Sequence, residues 1–195
     1  TYTYYGDNKY WTGSADLDYG NLQNIVAMEK EAAKTAANPG AATPYSALAS
    51  FFKAYIFVNM SLKVGDLPMS EALKGLSNPK PKYDSQKQIF QQSLQLLEDA
   101  NSQLTQLISS ANTSLLGDFY FQEKISNADD PLTALKKWQK VVNAFKLRVL
   151  IQLSKKEGDA DLNIKAKFAE VINNPTKYPL MTDLSDNWEY VYNSA

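Results

Sequence analysis

The chain has 195 residues, a formal net charge of −1, and neither cysteine nor histidine. Their absence excludes the usual zinc sites, thiol catalysis, disulfides and every catalytic triad that uses histidine as its base. With 20 Lys and Arg against 21 Asp and Glu, the sequence predicts no basic surface for nucleic acid and no strong attraction to an anionic membrane. By inspection, no stretch approaches the roughly 20 apolar residues of a membrane span.

The length and the first residues bear on domain organisation. The length fits one domain, or a large piece of one. The sequence opens at Thr1 on aromatic and polar residues, with no initiator Met and no signal peptide. We therefore predict a single domain over residues 1–195 that belongs to a longer chain.

Five helices are predicted from apolar residues that recur at three- and four-residue spacings. In chain order they cover residues 15–37, 44–63, 85–110, 131–156 and a shorter stretch between 161 and 173. Breaks fall where proline or glycine disfavours a continuing helix, as at Asn38-Pro39-Gly40 and Asn174-Pro175. Helices joined in this way pair as hairpins, so we predict an all-α fold of tetratricopeptide-like hairpins, an α-solenoid.

The helix predicted over residues 131–156 carries the strongest signal. Asp130 is a good N-cap, and Pro131 in the first turn costs no hydrogen bond, because the donors there have no helical partner. Arg148, the only arginine in the chain, falls within the apolar pattern of this helix. We therefore interpret Arg148 as one half of a buried structural ion pair.

The candidate ligand-binding residues are the rings least committed to a helical core: Tyr4, Tyr5, Tyr10, Trp11 and Trp188. Such rings either pin chain termini onto a domain or form a platform for a sugar, since a flat ring suits the C–H face of a pyranose. The alternating residues 188–192 suit a short strand near the C-terminal end. Residues 117–121, also aromatic, are predicted to be a loop packed on the core.

A calcium site is the one metal hypothesis that the sequence offers. Asp159, Asp161, Asn163 and Glu170 imitate four ligand positions of an EF-hand loop. The position that needs glycine for its sharp turn is Ile164, and the residues around it continue a helical period. We therefore predict no metal and no other cofactor.

Three stretches, in this order, match motifs of a known family. Residues 51–72 end in GDLPMSEA, similar to GD-(V/I)-P-Y-x-E-A, and residues 81–90 begin PKYDSQ, similar to P-x-Y-D-S-Q. Residues 137–154 contain KWQKVVNAFKLRVL, similar to KW-x-K-x-A-N-S-L-x-L-R-L. Each motif alone is weak, but their order and spacing are specific. The chain resembles the SusD/RagB family of outer-membrane nutrient-binding lipoproteins, in particular its SusD-like branch.

The chain departs from the family pattern at Met69, where Tyr is usual, at Asn59-Met60-Ser61 in place of L-T-D, and at Val142 in place of Ala. Full members of the family are about two to three times longer and begin with a lipidated Cys. We interpret the motif residues as structural. Gly65, Asp66 and Pro68 are expected to form a turn. Asp84 or Ser85 is expected to cap the next helix, with Tyr83 packed beside Asp84. Trp138 and Asn143 are expected to make core contacts.

The resemblance implies a non-enzymatic, surface-exposed lipoprotein of the outer membrane that binds an oligosaccharide or polysaccharide. Its partner would be a SusC-like TonB-dependent transporter, and its contact with the membrane would be a lipid anchor that this sequence lacks. No nucleic acid is implied.

Two other classes of protein stay open at the sequence level. A helical scaffold that docks a polypeptide differs from a sugar-binding protein by presenting a groove between helix faces rather than exposed rings. An enzyme is poorly supported, because Asp129/Asp130 and Glu98/Asp99 are adjacent carboxyls, whereas glycosidase acids face each other across a cleft.

Overall fold

The computed structural model describes residues 17–36, 38, 40–122 and 129–190. Within these residues the chain forms five α-helices and three short 3-10 turns. The helices are α1 (Tyr19–Thr35), α2 (Pro44–Val64), α3 (Gln86–Ser109), α4 (Pro131–Gln152) and α5 (Ile164–Asn173). Each helix packs against the next in sequence, and α2 also contacts α4. The predicted all-α fold of consecutive, tetratricopeptide-like helical hairpins is confirmed.

Local sequence signals set the starts of the long helices. Thr43 and Ser46 form a reciprocal capping box at α2, and Ser85 and Gln88 form another at α3. Asp130 caps α4 as predicted, and accepts hydrogen bonds of 3.0 and 3.1 Å from backbone N–H groups of the first turn. These bonds satisfy donors that a helix start would otherwise leave unpaired.

The C-terminal end of α4 differs from the prediction. We predicted helix to residue 156, whereas the α-helix ends at Gln152 and Ser154–Lys156 form a 3-10 turn. In this turn the N–H of Lys156 donates to the carbonyl of Leu153 at 2.8 Å. The tighter turn satisfies carbonyls that the end of an α-helix leaves without partners.

The core lies between α2, α3 and α4, and α2 is its central helix. Contrary to the sequence-based expectation, α2 is long and apolar enough, by length and composition, to cross a membrane. It is the one such helix in the described part of the chain, and 61% of its most apolar stretch is buried inside the protein. Because α1, α3 and α4 all pack on it, α2 is accounted for as a core helix.

The strand predicted near the C-terminal end is absent from the residues described there. Residues 187–190 are irregular, and residues 191–195 lie outside the described part. Elsewhere in the described chain the only β-type pairing is an isolated bridge between Leu67 and Asp84. A strand at Trp188 would need a neighbour for its backbone groups, and none of the residues that the structure describes pairs with it in this way.

An ion pair between a buried lysine and a partly exposed glutamate ties α3, α4 and the segment after α5 together. Lys146 of α4 is 3% exposed, and its Nζ lies 2.5 Å from Glu98 of α3. The Tyr178 hydroxyl lies 2.9 Å from Glu98 and 2.7 Å from Glu170 of α5, and the Lys146 ammonium lies 4.5 Å from the centre of the Tyr178 ring. Burial raises the pKa of the Glu98 carboxyl, but the hydrogen bond and charge of Lys146 outweigh it and hold that pKa below its usual range.

The first two motif stretches are bonded directly to each other through Asp84. This carboxylate is 4% exposed and accepts hydrogen bonds from the N–H groups of Met69 (2.9 Å) and Ser70 (2.7 Å) and from the Ser70 hydroxyl (2.8 Å). Of the two residues predicted as alternative caps of α3, Ser85 is the cap and Asp84 is not. Tyr83, predicted to pack beside it, is 72% exposed.

We expect the substitution Asp84→Asn to lower the free energy of unfolding by about 2 kcal/mol at neutral pH, because an amide offers only one acceptor oxygen to these donors. Burial raises the pKa of Asp84, but the N–H groups of Ser70 and Met69 outweigh it and hold the pKa below its usual range. The stability from the carboxylate is present above its unfolded pKa of about 3.9 and is lost as the pH falls through the folded pKa.

Urea titrations of the natural chain and the Asp84→Asn variant, from neutral to acid pH, check this expectation. The difference in the free energy of unfolding between the two proteins should shrink below about pH 4. A difference that stays constant across this pH range would show that Asp84 stabilises the fold through its packing and not through the charge of its carboxylate.

Candidate functional site

Trp188 lies within a cluster of aromatic rings from α2, α4 and the segment before α4. Its ring centroid lies 5.2 Å from that of Tyr55, 5.3 Å from that of Phe51 and 5.5 Å from that of Tyr120, all in edge-to-face geometry. Such geometry is favourable because the positive edge of one ring meets the negative face of another. Among the described residues the cluster contains eight rings, those of Phe51, Phe52, Tyr55, Tyr120, Phe121, Trp138, Phe145 and Trp188.

The 3-10 turn Leu184–Asp186 holds Trp188 in place. Asp186 is buried, and both of its carboxylate oxygens lie 2.9 Å from the Nζ of Lys140 on α4. It also accepts the backbone N–H of Thr182 at 2.9 Å. Burial raises the pKa of Asp186, but the N–H of Thr182 and the Lys140 ammonium outweigh it and keep that pKa below its usual range. The turn, and the tryptophan that follows it, are thereby fixed to α4.

Trp138 is a buried member of the cluster. It is 1% exposed, and its Nε1 donates to the buried carboxylate of Asp118 at 2.7 Å. Asp118 also accepts the backbone N–H of Tyr120 at 2.9 Å, and Phe121 is fully buried. The prediction that residues 117–121 form a loop packed on the core is correct for this segment.

Two open clefts share Trp188 as part of their lining. The first has a volume of about 670 Å³, and its polar lining residues are Arg148, Asn187 and Glu189. The second has a volume of about 560 Å³, and its polar lining residues are Asp18, Asn21 and Asn24 of the α1 region. Both clefts are lined by three shared rings, those of Tyr55, Tyr120 and Trp188. Ring surfaces edged by amide, guanidinium and carboxylate groups can stack on a sugar and hydrogen-bond its hydroxyls.

The profile of the family SusD-like_2, described as "Starch-binding associating with outer membrane", matches residues 2–195. The chain belongs to this SusD-like family. A search of curated proteins found no match.

Three solved structures share the SusD-like fold with this chain. An outer membrane protein of Bacteroides vulgatus, for which a role in nutrient binding has been suggested, is 32% identical with a TM-score of 0.74 over 94% of this chain. Two SusD homologues of Bacteroides fragilis are 34% and 33% identical, with TM-scores of 0.68 and 0.72 over 87% and 91% of this chain. The aligned region is 35%, 32% and 34% of those three chains, so this chain spans about a third of their length.

The structure corrects the predicted role of Arg148. Its side chain is exposed at the first cleft, and it makes no ion pair with any residue that the structure describes. The buried cation of α4 is Lys146, two residues earlier. Because successive residues of a helix are about 100° apart, a two-residue offset moves a side chain from the α3 interface to the opposite side.

Of the candidate rings, the structure places Trp188 at the site, whereas Tyr4, Tyr5, Tyr10 and Trp11 lie outside the described residues. Tyr55 falls within the helix predicted over residues 44–63 and Tyr120 within the predicted loop 117–121, so neither was expected to line a cleft. The sequence interpretation also missed Asn187 and Glu189. Their adjacency to Trp188 was the only signal in the sequence.

The residues of the EF-hand-like pattern do not assemble as ligands. Asp159 and Asp161 both pair with Lys87 of α3, at 2.8 and 2.6 Å. Asn163 precedes α5 with a left-handed backbone, and Glu170 contacts Tyr178. Across the described ranges, no group of three or more potential metal ligands was found.

Proposed function

We propose that this chain is the helical part of a longer, non-enzymatic glycan-binding protein of the outer membrane, and that an oligosaccharide binds beside Trp188. The observation that carries the proposal is the set of three rings shared by the two clefts. Membership of a starch-binding family supports glycan as the ligand class. Binding would rest on stacking and hydroxyl hydrogen bonds, without bond chemistry.

The shape of the site favours a chain of sugars over a single sugar. Trp188 lines both clefts, so a ligand long enough to fill both would contact this ring in each of them. The first cleft offers a guanidinium donor and a carboxylate acceptor, and the second offers the amides of Asn21 and Asn24. Charged and amide groups of this kind can hydrogen-bond to sugar hydroxyls, because each hydroxyl both donates and accepts hydrogen bonds.

The proposal extends to transport. A surface lipoprotein of this family would pass its bound oligosaccharide to a SusC-like TonB-dependent transporter in the same membrane. The outer-membrane association in the family description supports the location.

A polypeptide-docking scaffold is the second candidate, and the second cleft is the observation that favours it. That cleft is lined by Ile25 and Met28 of α1 and Ile56 of α2, so apolar helix faces form part of its wall. Grooves between helix faces accept amphipathic peptides. Binding of a peptide, together with no binding of any glycan, would favour this function.

We expect Trp188→Ala to weaken binding of a starch oligosaccharide by roughly tenfold, a loss of about 1.4 kcal/mol, because the variant removes a ring that both clefts share. Isothermal titration with maltoheptaose, and with host-type glycans in parallel, measures the effect. Arg148→Ala should also weaken binding, and because Arg148 is exposed, this variant should keep the fold.

The matched control is Tyr190→Ala, which removes an exposed ring two residues from Trp188 that does not line either cleft. It should bind as the natural chain does. No heat with any glycan, or equal losses in all three variants, would count against a sugar site at Trp188.

A further inference from the structure

Residues 71–82 form a closed loop between α2 and α3. Glu71 closes it, because its carboxylate accepts hydrogen bonds from the side-chain amide of Asn78 at 3.0 Å and from the backbone N–H of Lys82 at 3.1 Å. The bond to Lys82, followed by that to Asn78, holds the pKa of Glu71 below its usual range. Asp84 fixes the base of the same loop through Met69 and Ser70.

The family motifs build the base of this loop, and its tip lies between them. GDLPMSEA ends at Ala72 and PKYDSQ begins at Pro81, so the tip, residues 73–80, belongs to neither motif. From α1, the Tyr19 hydroxyl donates to the carbonyl of Pro68 at 2.6 Å and braces the base further. The base of the loop is therefore held by hydrogen bonds, and it presents a tip whose sequence belongs to neither family motif.

The tip exposes apolar side chains to solvent. Leu76 is 98% exposed in the 3-10 turn Gly75–Ser77, and Leu73 is also exposed. Leu73 has a φ of 63°, a left-handed conformation that is uncommon for a branched side chain. Of the twelve large apolar side chains that are exposed in the described residues, five lie in residues 62–83, so exposed apolar side chains are concentrated in this segment: Leu62, Val64, Leu73, Leu76 and Tyr83.

The same segment is positively charged, although the whole chain carries −1. Residues 62–83 contain four lysines, all exposed, against Asp66 and Glu71, which gives a net charge of +2. The tip itself carries Lys74 and Lys80 and no carboxylate. The near-neutral total therefore conceals a local basic and apolar surface.

We propose that the tip, residues 73–80, docks onto an anionic lipid surface, with Leu76 entering the interface and Lys74 and Lys80 contacting the headgroups. A protruding apolar side chain flanked by cations suits a flat, deformable anionic surface, whereas a protein partner would need a matching pocket. The site is separate from the clefts at Trp188 and does not depend on the glycan proposal. The outer-membrane association of the family places such a surface within reach.

Vesicle co-sedimentation of the full chain tests the proposal, using phosphatidylcholine alone and an equal mixture of phosphatidylcholine and phosphatidylglycerol. We expect binding to the anionic vesicles, weakened by added salt and roughly tenfold weaker for the double variant Lys74→Glu/Lys80→Glu. Leu76→Asp should also lose binding. As a second readout, the fluorescence of Leu76→Trp should shift to shorter wavelength on anionic vesicles only.

Matched controls place the same changes elsewhere on the surface. Lys155→Glu/Lys156→Glu reverses two exposed lysines, and Leu184→Asp changes a leucine that is 84% exposed. Both should bind as the natural chain does. Absence of binding to anionic vesicles, or equal losses in the controls, would overturn the proposal. Binding to polyglutamate without binding to vesicles would also overturn it, and would assign the tip to an acidic protein partner.

Discussion

Replacing Trp138 with alanine is expected to lower the free energy of unfolding by about 4 kcal/mol. Trp138 is 1% exposed and contacts the rings of Phe51, Phe121 and Trp188. Its removal leaves a cavity among these rings and also leaves the buried carboxylate of Asp118 without its indole donor. Urea denaturation followed by far-UV circular dichroism measures the loss.

Two further variants separate the causes of this loss. Trp138→Phe keeps much of the apolar volume but removes the hydrogen-bond donor to Asp118. It should lower the free energy of unfolding by about 1 to 3 kcal/mol. Phe119→Ala, at an exposed position in the same segment, should change stability by less than about 0.5 kcal/mol. If Trp138→Ala were no worse than Phe119→Ala, Trp138 would not be a support of the core.

Removal of Glu98 is expected to cost about 3 to 5 kcal/mol, because Glu98→Leu leaves the Lys146 ammonium buried without its counter-ion. The double variant Glu98→Leu/Lys146→Met should recover most of this loss, since a buried pair replaced by apolar groups of similar size is often neutral. A double-mutant cycle with Lys146→Met, measured by urea denaturation, gives the coupling between the two residues.

The pH dependence gives a second test of the ion pair. Because the folded pKa of Glu98 lies below its usual range, the pair contributes stability above the unfolded pKa of about 4.3 and loses it as the pH falls through the folded value. Glu31→Leu is the matched control, because its pair with Lys34 is largely exposed and should contribute little. A double variant as unstable as Glu98→Leu alone would show that lost packing, and not the unpaired charge, causes the effect.

Much of the fold was predictable because its signals are local. Asp130 caps the residues that directly follow it, and an apolar stripe repeats within one helical turn, so a short window of sequence contains the information. The three motifs identified the family for the same reason, since each is a continuous stretch. The predicted end of α4 was wrong by one turn, at a 3-10 turn that differs little from an α-helix in sequence pattern.

The candidate site was predicted only in part, because it joins residues that are far apart in the sequence. Trp188 was identified by its own character, but Tyr55 and Tyr120 reach the same clefts from α2 and from the loop before α4. Whether a ring on an apolar stripe is covered or edges a cleft depends on which neighbour packs over it. Nothing within a single helix decides this.

The sequence by itself determined the helices, the Asp130 cap of α4, the hairpin order and membership of the SusD-like family. Only the tertiary structure decided the partners of the charged side chains, because an ion pair such as Lys146 with Glu98 depends on the rotation of one helix against another. That rotation buried Lys146 and exposed Arg148. The tertiary structure also decided the partners of Asp84, which accepts hydrogen bonds from Met69 and Ser70. A carboxylate next to a helix start can accept from whichever N–H groups the fold brings near it.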